Sequence, residues 1–274
     1  RMASRDPEVL PAGTRAACSL VAGAPPNLTY TYLSHSPSYT TRPPPSSAPG
    51  TTPAPSARRG RSPSGALVSG SVRCWGLNGF GQLGNGTNNN SLVPVTDTGI
   101  TTATAIATGF NHACARLADS TLRCWGANFA GGLGNSTFND SNTPVTVSGI
   151  STALGITAGG DTSCAVLASG ALRCWGDNSY GQLGTNTGVG SSASPVSASG
   201  ITTATAVTTG LTQSCARLSA ARLRCWGANS DGQLGNGGTT PSPVPVDVTQ
   251  TTLANAVWSG GSHVCALRAD NATH

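Results

Sequence analysis

The chain has 274 residues, with 36 Gly, 18 Pro, only 9% charged residues and no lysine. Its net charge of +5 belongs to the first 65 residues, where seven Arg face Asp6 and Glu8, while residues 66–274 hold eight Arg and eight Asp. That neutral remainder lacks the basic footprint of a nucleic-acid binder, and no apolar run approaches the roughly 18 residues of a membrane-spanning helix.

Strong helix formers are scarce beside Thr, Ser, Val, Asn and Gly, which favours short strands joined by turns. Residues 1–64 come first and carry no repeat. They are rich in Pro, Ser, Thr and Arg, as in "TTRPPPSSAPGTTPAPSARRGRSP", the composition of a disordered linker. A second reading takes part of the segment as a repeat out of frame. Read from the third base of each codon, residues 44–62 permit Pro-Val-x-Ser-x-Gly, Thr/Ala-Val and Ala-Ala-Gly, the order seen at 94–109. Residues 20–24 then permit Arg-Cys-Trp-Gly. The chain begins with Arg and shows no clean signal peptide, as expected of a fragment.

From residue 65 onward a repeat governs the chain. "RCWG" stands at 73–76, 123–126, 173–176 and 224–227. "GQLG" or "GGLG" follows each, then a Pro-Val, then a Thr/Ala-rich run ending near Cys114, Cys164, Cys215 or Cys265. The units run 74–123, 124–173, 174–224 and 225–274. "CARL" and "LRCWG" flank "ADS", the length of a three-residue hairpin loop, and Gly170 supplies the left-handed position such a loop favours. One β unit of this size cannot bury its own face, so neighbours must stack. A period near 50 residues suits a four-stranded propeller blade.

The pattern "HACARLADSTLRCWGANFAGGLGN", recurring at this period, resembles the regulator-of-chromosome-condensation repeat family over residues 65–274. The resemblance implies an all-β fold, a β-propeller of seven blades. Four periods cannot close such a ring, so an open arc of about four blades is expected, preceded by the disordered segment.

Cys114/Cys124, Cys164/Cys174 and Cys215/Cys225 lie symmetrically about their hairpin loops. Residues directly opposite in an antiparallel pair come within disulfide reach. Cross-strand disulfides are expected, with reduced buried cysteines as the alternative. Cys74 and Cys265 read as half-pairs: Gly65 stands where a partner of Cys74 belongs. Disulfides imply an extracytoplasmic compartment, secreted, periplasmic or at the cell surface, and the lysine-free composition suits a bacterium with a GC-rich genome. No Cys/His cluster has metal-ligand spacing, so no metal or cofactor is expected.

"GFGQLG" at 79–84 matches a dinucleotide fingerprint, but it lies between β segments and its first Gly becomes Phe129, Ser179 or Ser230 in other copies. No Ser-His-Asp arrangement appears. Trp75, Trp125, Trp175 and Trp226 are expected to pack between blades; Asn78, Asn128, Asn178 and Asn229 are expected to stabilise turns. Function is therefore sought where copies differ. One variable loop precedes the cysteine strand and holds Phe110, Asn111, His112, Asp161, Leu211, Gln213 and His263. The other follows Trp-Gly and holds Phe80, Phe129, Tyr180 and Asp231. Exposed aromatics there suit a protein interface, against the alternative that they pack on neighbouring blades. The expectation is a non-enzymatic scaffold that binds a protein partner, with no nucleic acid and no small molecule. The alternatives are a carbohydrate-binding or enzyme-associated module and a nucleotide-exchange regulator.

Overall fold

The computed structural model describes residues 17–21, 70–186, 190–251 and 253–268. All regular structure in them is β. The disordered and out-of-frame readings of residues 1–64 fall outside the described residues, except for β1 (Ala17–Val21). This strand pairs antiparallel with β2 (Ser71–Gly76), which pairs with β3 (Ser91–Thr96).

Three complete four-stranded sheets follow. The first is β4 (Ala103–Thr108), β5 (His112–Leu117), β6 (Leu122–Gly126) and β7 (Ser141–Thr146). The second is β8 (Ala153–Gly159), β9 (Thr162–Leu167), β10 (Leu172–Gly176) and β11 (Ser192–Ser197). The third is β12 (Ala204–Thr209), β13 (Gln213–Leu218), β14 (Leu223–Gly227) and β15 (Ser242–Asp247). A two-stranded sheet of β16 (Ala254–Ser259) and β17 (Val264–Arg268) ends the series. Each sheet is a meander of sequence neighbours, as a propeller blade is. Each four-stranded sheet straddles two sequence units: two strands come before Arg-Cys-Trp-Gly, the third carries it and the fourth follows.

The hairpin geometry follows the loop chemistry. Leu117 and Thr121 close a loop of Ala118, Asp119 and Ser120, with the Leu117 N–H donating to Thr121 O at 2.9 Å. The third loop residue is left-handed in every copy: φ is 65° at Ser120, 80° at Gly170 and 55° at Ala221. Gly170 is the residue suited to it; Ala221 is not.

Cys114 faces Cys124, Cys164 faces Cys174 and Cys215 faces Cys225, and all three pairs are disulfide-bonded. Cys74 corrects the expectation that it lacks a partner: it is bonded to Cys18 on β1. Strand β1 holds the place that a cysteine strand holds beside β6, β10 and β14, although the bond spans 56 residues rather than 10. Cys265 is a free, exposed thiol.

Between sheets the seal is an indole. Trp125, Trp175 and Trp226 are wholly buried. Each donates its Nε1–H to a carbonyl of the preceding blade, at Gln82 (3.0 Å), Gly132 (2.9 Å) and Gln182 (2.8 Å). The ring lies against the last Gly of Gly-x-Leu-Gly. A Cβ on Gly84, Gly134 or Gly184 would stand within 2.9 Å of the indole nitrogen, so only glycine lets the two surfaces meet. Trp75, before which no other sheet stands among the described residues, is half-buried.

Candidate functional site

The register places both variable loop sets at one end of the blades. His112 at the start of β5 lies opposite Gly126 at the end of β6, so the loop entering β5 and the loop leaving β6 share that end. The same holds for Thr162 with Gly176 and Gln213 with Gly227.

The longer loop is built around its asparagine. The Asn128 carboxamide donates to Thr137 O (2.8 Å) and Asn139 O (3.0 Å), and its Oδ1 accepts the Leu133 N–H at 2.9 Å. Asn78 and Asn229 repeat this arrangement. The turn-forming role expected of these residues is thus the observed one. With the loop pinned from inside, the residues at its tip point outward.

At that tip Phe80, Phe129 and Tyr180 are 40%, 58% and 51% exposed. Phe80, Tyr180 and Asp231 are strict equivalents: each donates its N–H to the glutamine two residues on, Gln82, Gln182 or Gln233, at 2.8–2.9 Å. Phe129 sits one residue earlier in its loop. Its copy has Gly132 in place of that glutamine and a buried Ala130.

The inner loops divide. His112 and Gln213, both singled out as partner-binding candidates, are 3% and 1% exposed and belong to the packing. The Ser163 hydroxyl donates to Gly132 O at 3.1 Å, so His112 donates its Nε2–H to Ser163 Oγ at 2.8 Å. Burial lowers the His112 pKa to about 4, which keeps the ring neutral. Gln213 reaches Gly260 O in the next sheet at 3.4 Å. Phe110, Asn111, Asp161 and Leu211 are half-buried. Phe110 and Leu211 donate their backbone N–H to Gly160 and Gly261 of the next loop, Asn111 O accepts from Ala127, and Asp161 O accepts from Asp177. His263, the equivalent of His112, is exposed. No sequence signal separates these two histidines, because what buries His112 is Ser163 of the neighbouring blade.

Charge is divided between the two ends. Asp140, Asp161, Asp177 and Asp231 lie in the loops of the aromatic end, and no arginine among the described residues lies there. Burial, then the nearby Asp177, raises the Asp161 carboxyl above its ordinary pKa. The arginines occupy the other half of the strands: Arg73, Arg123, Arg173 and Arg224 of the Arg-Cys-Trp-Gly motif, with Arg116 and Arg217 beside them. There Asp247 pairs with Arg222 and Arg224 at 3.0 Å each. Arg224, bonding its carboxylate, holds it below the usual range. Among the described residues no three His, Cys, Asp or Glu side chains converge in a way that would hold a metal ion, and no helix is long and apolar enough to cross a membrane.

The geometry has counterparts. Two sequence families, both described as the regulator of chromosome condensation (RCC1) repeat, match the chain. One covers residues 103–131 and 155–182, the other 69–116 and 222–267. Among solved structures, Prp20p of Saccharomyces cerevisiae superposes with a TM-score of 0.65 at 22% identity, over 72% of this chain and 51% of that one. That protein is described with its binding to Gsp1p and histones. A second structure of it, bound to Kap60, gives 0.64 at 21% identity, over 72% and 50%. Human WBSCR16 gives 0.63 at 23% identity, over 73% and 56%. The chain thus spans about half the length of the propellers it matches. No curated protein sequence matches it.

Proposed function

Since this chain belongs to the regulator of chromosome condensation (RCC1) repeat family, we propose that it is a non-enzymatic scaffold whose aromatic loop end binds another protein, in a secreted or cell-surface setting. One observation carries the reading. The repeated Trp, Asn, Cys and Gln side chains are turned inward, while Phe80, Phe129 and Tyr180 of three successive blades are left exposed at one end. Large aromatics of this kind anchor protein interfaces. Prp20p is described by protein partners, which supports the class of ligand and not its identity. Four disulfides among the described residues favour an oxidising compartment.

The test compares two variants in capture from extracellular extracts. Phe80→Ser/Phe129→Ser/Tyr180→Ser removes the aromatic end. Leu92→Ser/Val93→Ser changes exposed apolar residues of the outer strand β3. A partner held by the wild type and by the β3 variant, but lost by the aromatic variant, is the expected result. A partner that survives the loss of all three aromatics sinks the proposal.

A further inference from the structure

The sheets β4–β7 and β8–β11 each have another sheet on both sides. Their loops at the aromatic end meet along a seam, and the side chains beside it are of two kinds. The first kind is aromatic. Besides Phe129 and Tyr180 it includes Phe138, which is 53% exposed. Asn128, next to Phe129, holds Thr137 O and Asn139 O, the carbonyls on either side of Phe138. In the preceding sheet the equivalent of Phe138 is Asn88, which donates its Nδ2–H to Gly79 O at 3.1 Å. Gly79 stands where Phe129 does. The two phenylalanines therefore rise from adjoining points of one loop.

The second kind is the carboxylate. A Cβ on Gly132, in the Phe129 loop, would stand 3.1 Å from Asp161 O. That carbonyl also accepts the N–H of Asp177, in the Tyr180 loop, at 3.1 Å. Asp161 thus lies in the seam, between the two aromatic loops. Asp140 and Asp177 spend their carboxylates on their own loops. Asp140 Oδ1 accepts the Asn128 N–H at 2.6 Å, and Asp177 accepts from Ser179 and Gln182. Among the described residues the half-buried Asp161 carboxylate accepts no hydrogen bond and joins no ion pair. The charge beside it is that of Asp177, of its own sign. The chain has no lysine, and no described arginine stands at this end. The cation that complements the seam has to come from another molecule.

We infer that this seam receives an arginine side chain of the partner protein, an inference that rests on the aromatic end being the binding surface. A guanidinium suits the seam better than an ammonium does. Its plane stacks on aromatic faces, its fork of N–H donors matches a carboxylate, and it is more weakly hydrated. Its aliphatic stem covers apolar surface on the way in. Asp161 supplies the opposite charge, while Phe129, Phe138 and Tyr180 supply the aromatic faces. Desolvation of the pair strengthens the attraction, because the carboxylate is already half withdrawn from water.

The probes are random linear peptides displayed on phage and selected on the full chain. Enriched peptides are expected to share an arginine. Citrulline in its place keeps the shape and removes the charge, and should weaken binding about tenfold; lysine should weaken it about fivefold. These comparisons use the wild-type chain and need no variant to fold. On Asp161→Asn the arginine and citrulline peptides should bind alike, and Phe138→Ser should weaken the arginine peptide about threefold. Peptides released by Phe129→Ser/Phe138→Ser/Tyr180→Ser, yet bound equally well with citrulline, overturn this inference and leave the aromatic end as the binding surface. An arginine preference that survives Asp161→Asn also overturns it. Peptides that survive the triple variant count against both readings. An empty selection overturns the inference, and the capture test above then decides on the aromatic end by itself.

Discussion

His112 and Phe129 lie in the two loops of one blade end, and both positions change from copy to copy, yet they do opposite things. His112 becomes Thr162, Gln213 and His263 in the other blades. His112, Thr162 and Gln213 are all buried; His112 and Gln213 reach across to Ser163 and Gly260 O, while Thr162 donates to Asp177 O of its own blade. Phe129 at the outer loop tip is exposed, and Asn128 beside it holds the backbone from within. Variation between repeats therefore has two sources. At the inner loop it follows burial, whereas at the outer loop Phe80, Phe129 and Tyr180 remain largely exposed.

That contrast can be broken from the packing side. Trp175→Ala empties a seat inside the arc and should destabilise by about 3–5 kcal/mol, read as a drop in the denaturant midpoint. A comparable loss from Phe129→Ala would erase the distinction between the two loops; that substitution should stay within about 0.5 kcal/mol. Replacing both Cys114 and Cys124 with Ala should cost about 2–3 kcal/mol, the loop-entropy value for so short a closed loop. Chemical denaturation with and without reductant measures it.

His112 sharpens the contrast through pH. Its pKa is about 4 in the folded chain and near 6.5 when unfolded, so the unfolded state takes up the proton first. The stability tied to its neutrality is complete above pH 6.5 and is lost as pH falls towards 4. At most about 3 kcal/mol is at stake over that window. His112→Gln places there the residue that Gln213 already uses in the same role, and should flatten the melting-temperature profile between pH 7 and pH 4.5. A profile as steep as that of the wild type would show that His112 is not buried. The smallest effect is expected at the hairpin: Ala221→Gly relieves a left-handed alanine and should raise stability by about 0.5–1 kcal/mol.

Much of this was legible beforehand, for a physical reason. A repeat that recurs at 50 residues imposes the same environment each time, so Trp125, Trp175 and Trp226 announce a packing role by recurring with their glycines, and the paired cysteines announce a hairpin. Two things were hidden. The burial of His112 depends on Ser163 and Gly132, which lie on a neighbouring blade and loop that the local sequence does not describe. Cys18 was hidden because no cysteine stands near ten residues upstream of Cys74, and the strand that fills the place comes from far earlier in the chain. Legibility ended where a contact no longer followed the period.

The division of charge between the two blade ends has a consequence that net charge conceals. With four of the seven described aspartates at the aromatic loops, and all eight described arginines towards the opposite ends of the strands beside only Asp97, Asp119 and Asp247, this nearly neutral body carries a direction. An approaching cationic surface is drawn to the end where Phe80, Phe129 and Tyr180 stand, and an anionic one is drawn to the back. The bias acts over about a Debye length, some 8 Å at physiological salt, so it orients encounters at close range and fades as salt is added. Two molecules of equal net charge can thus differ in which side they offer first.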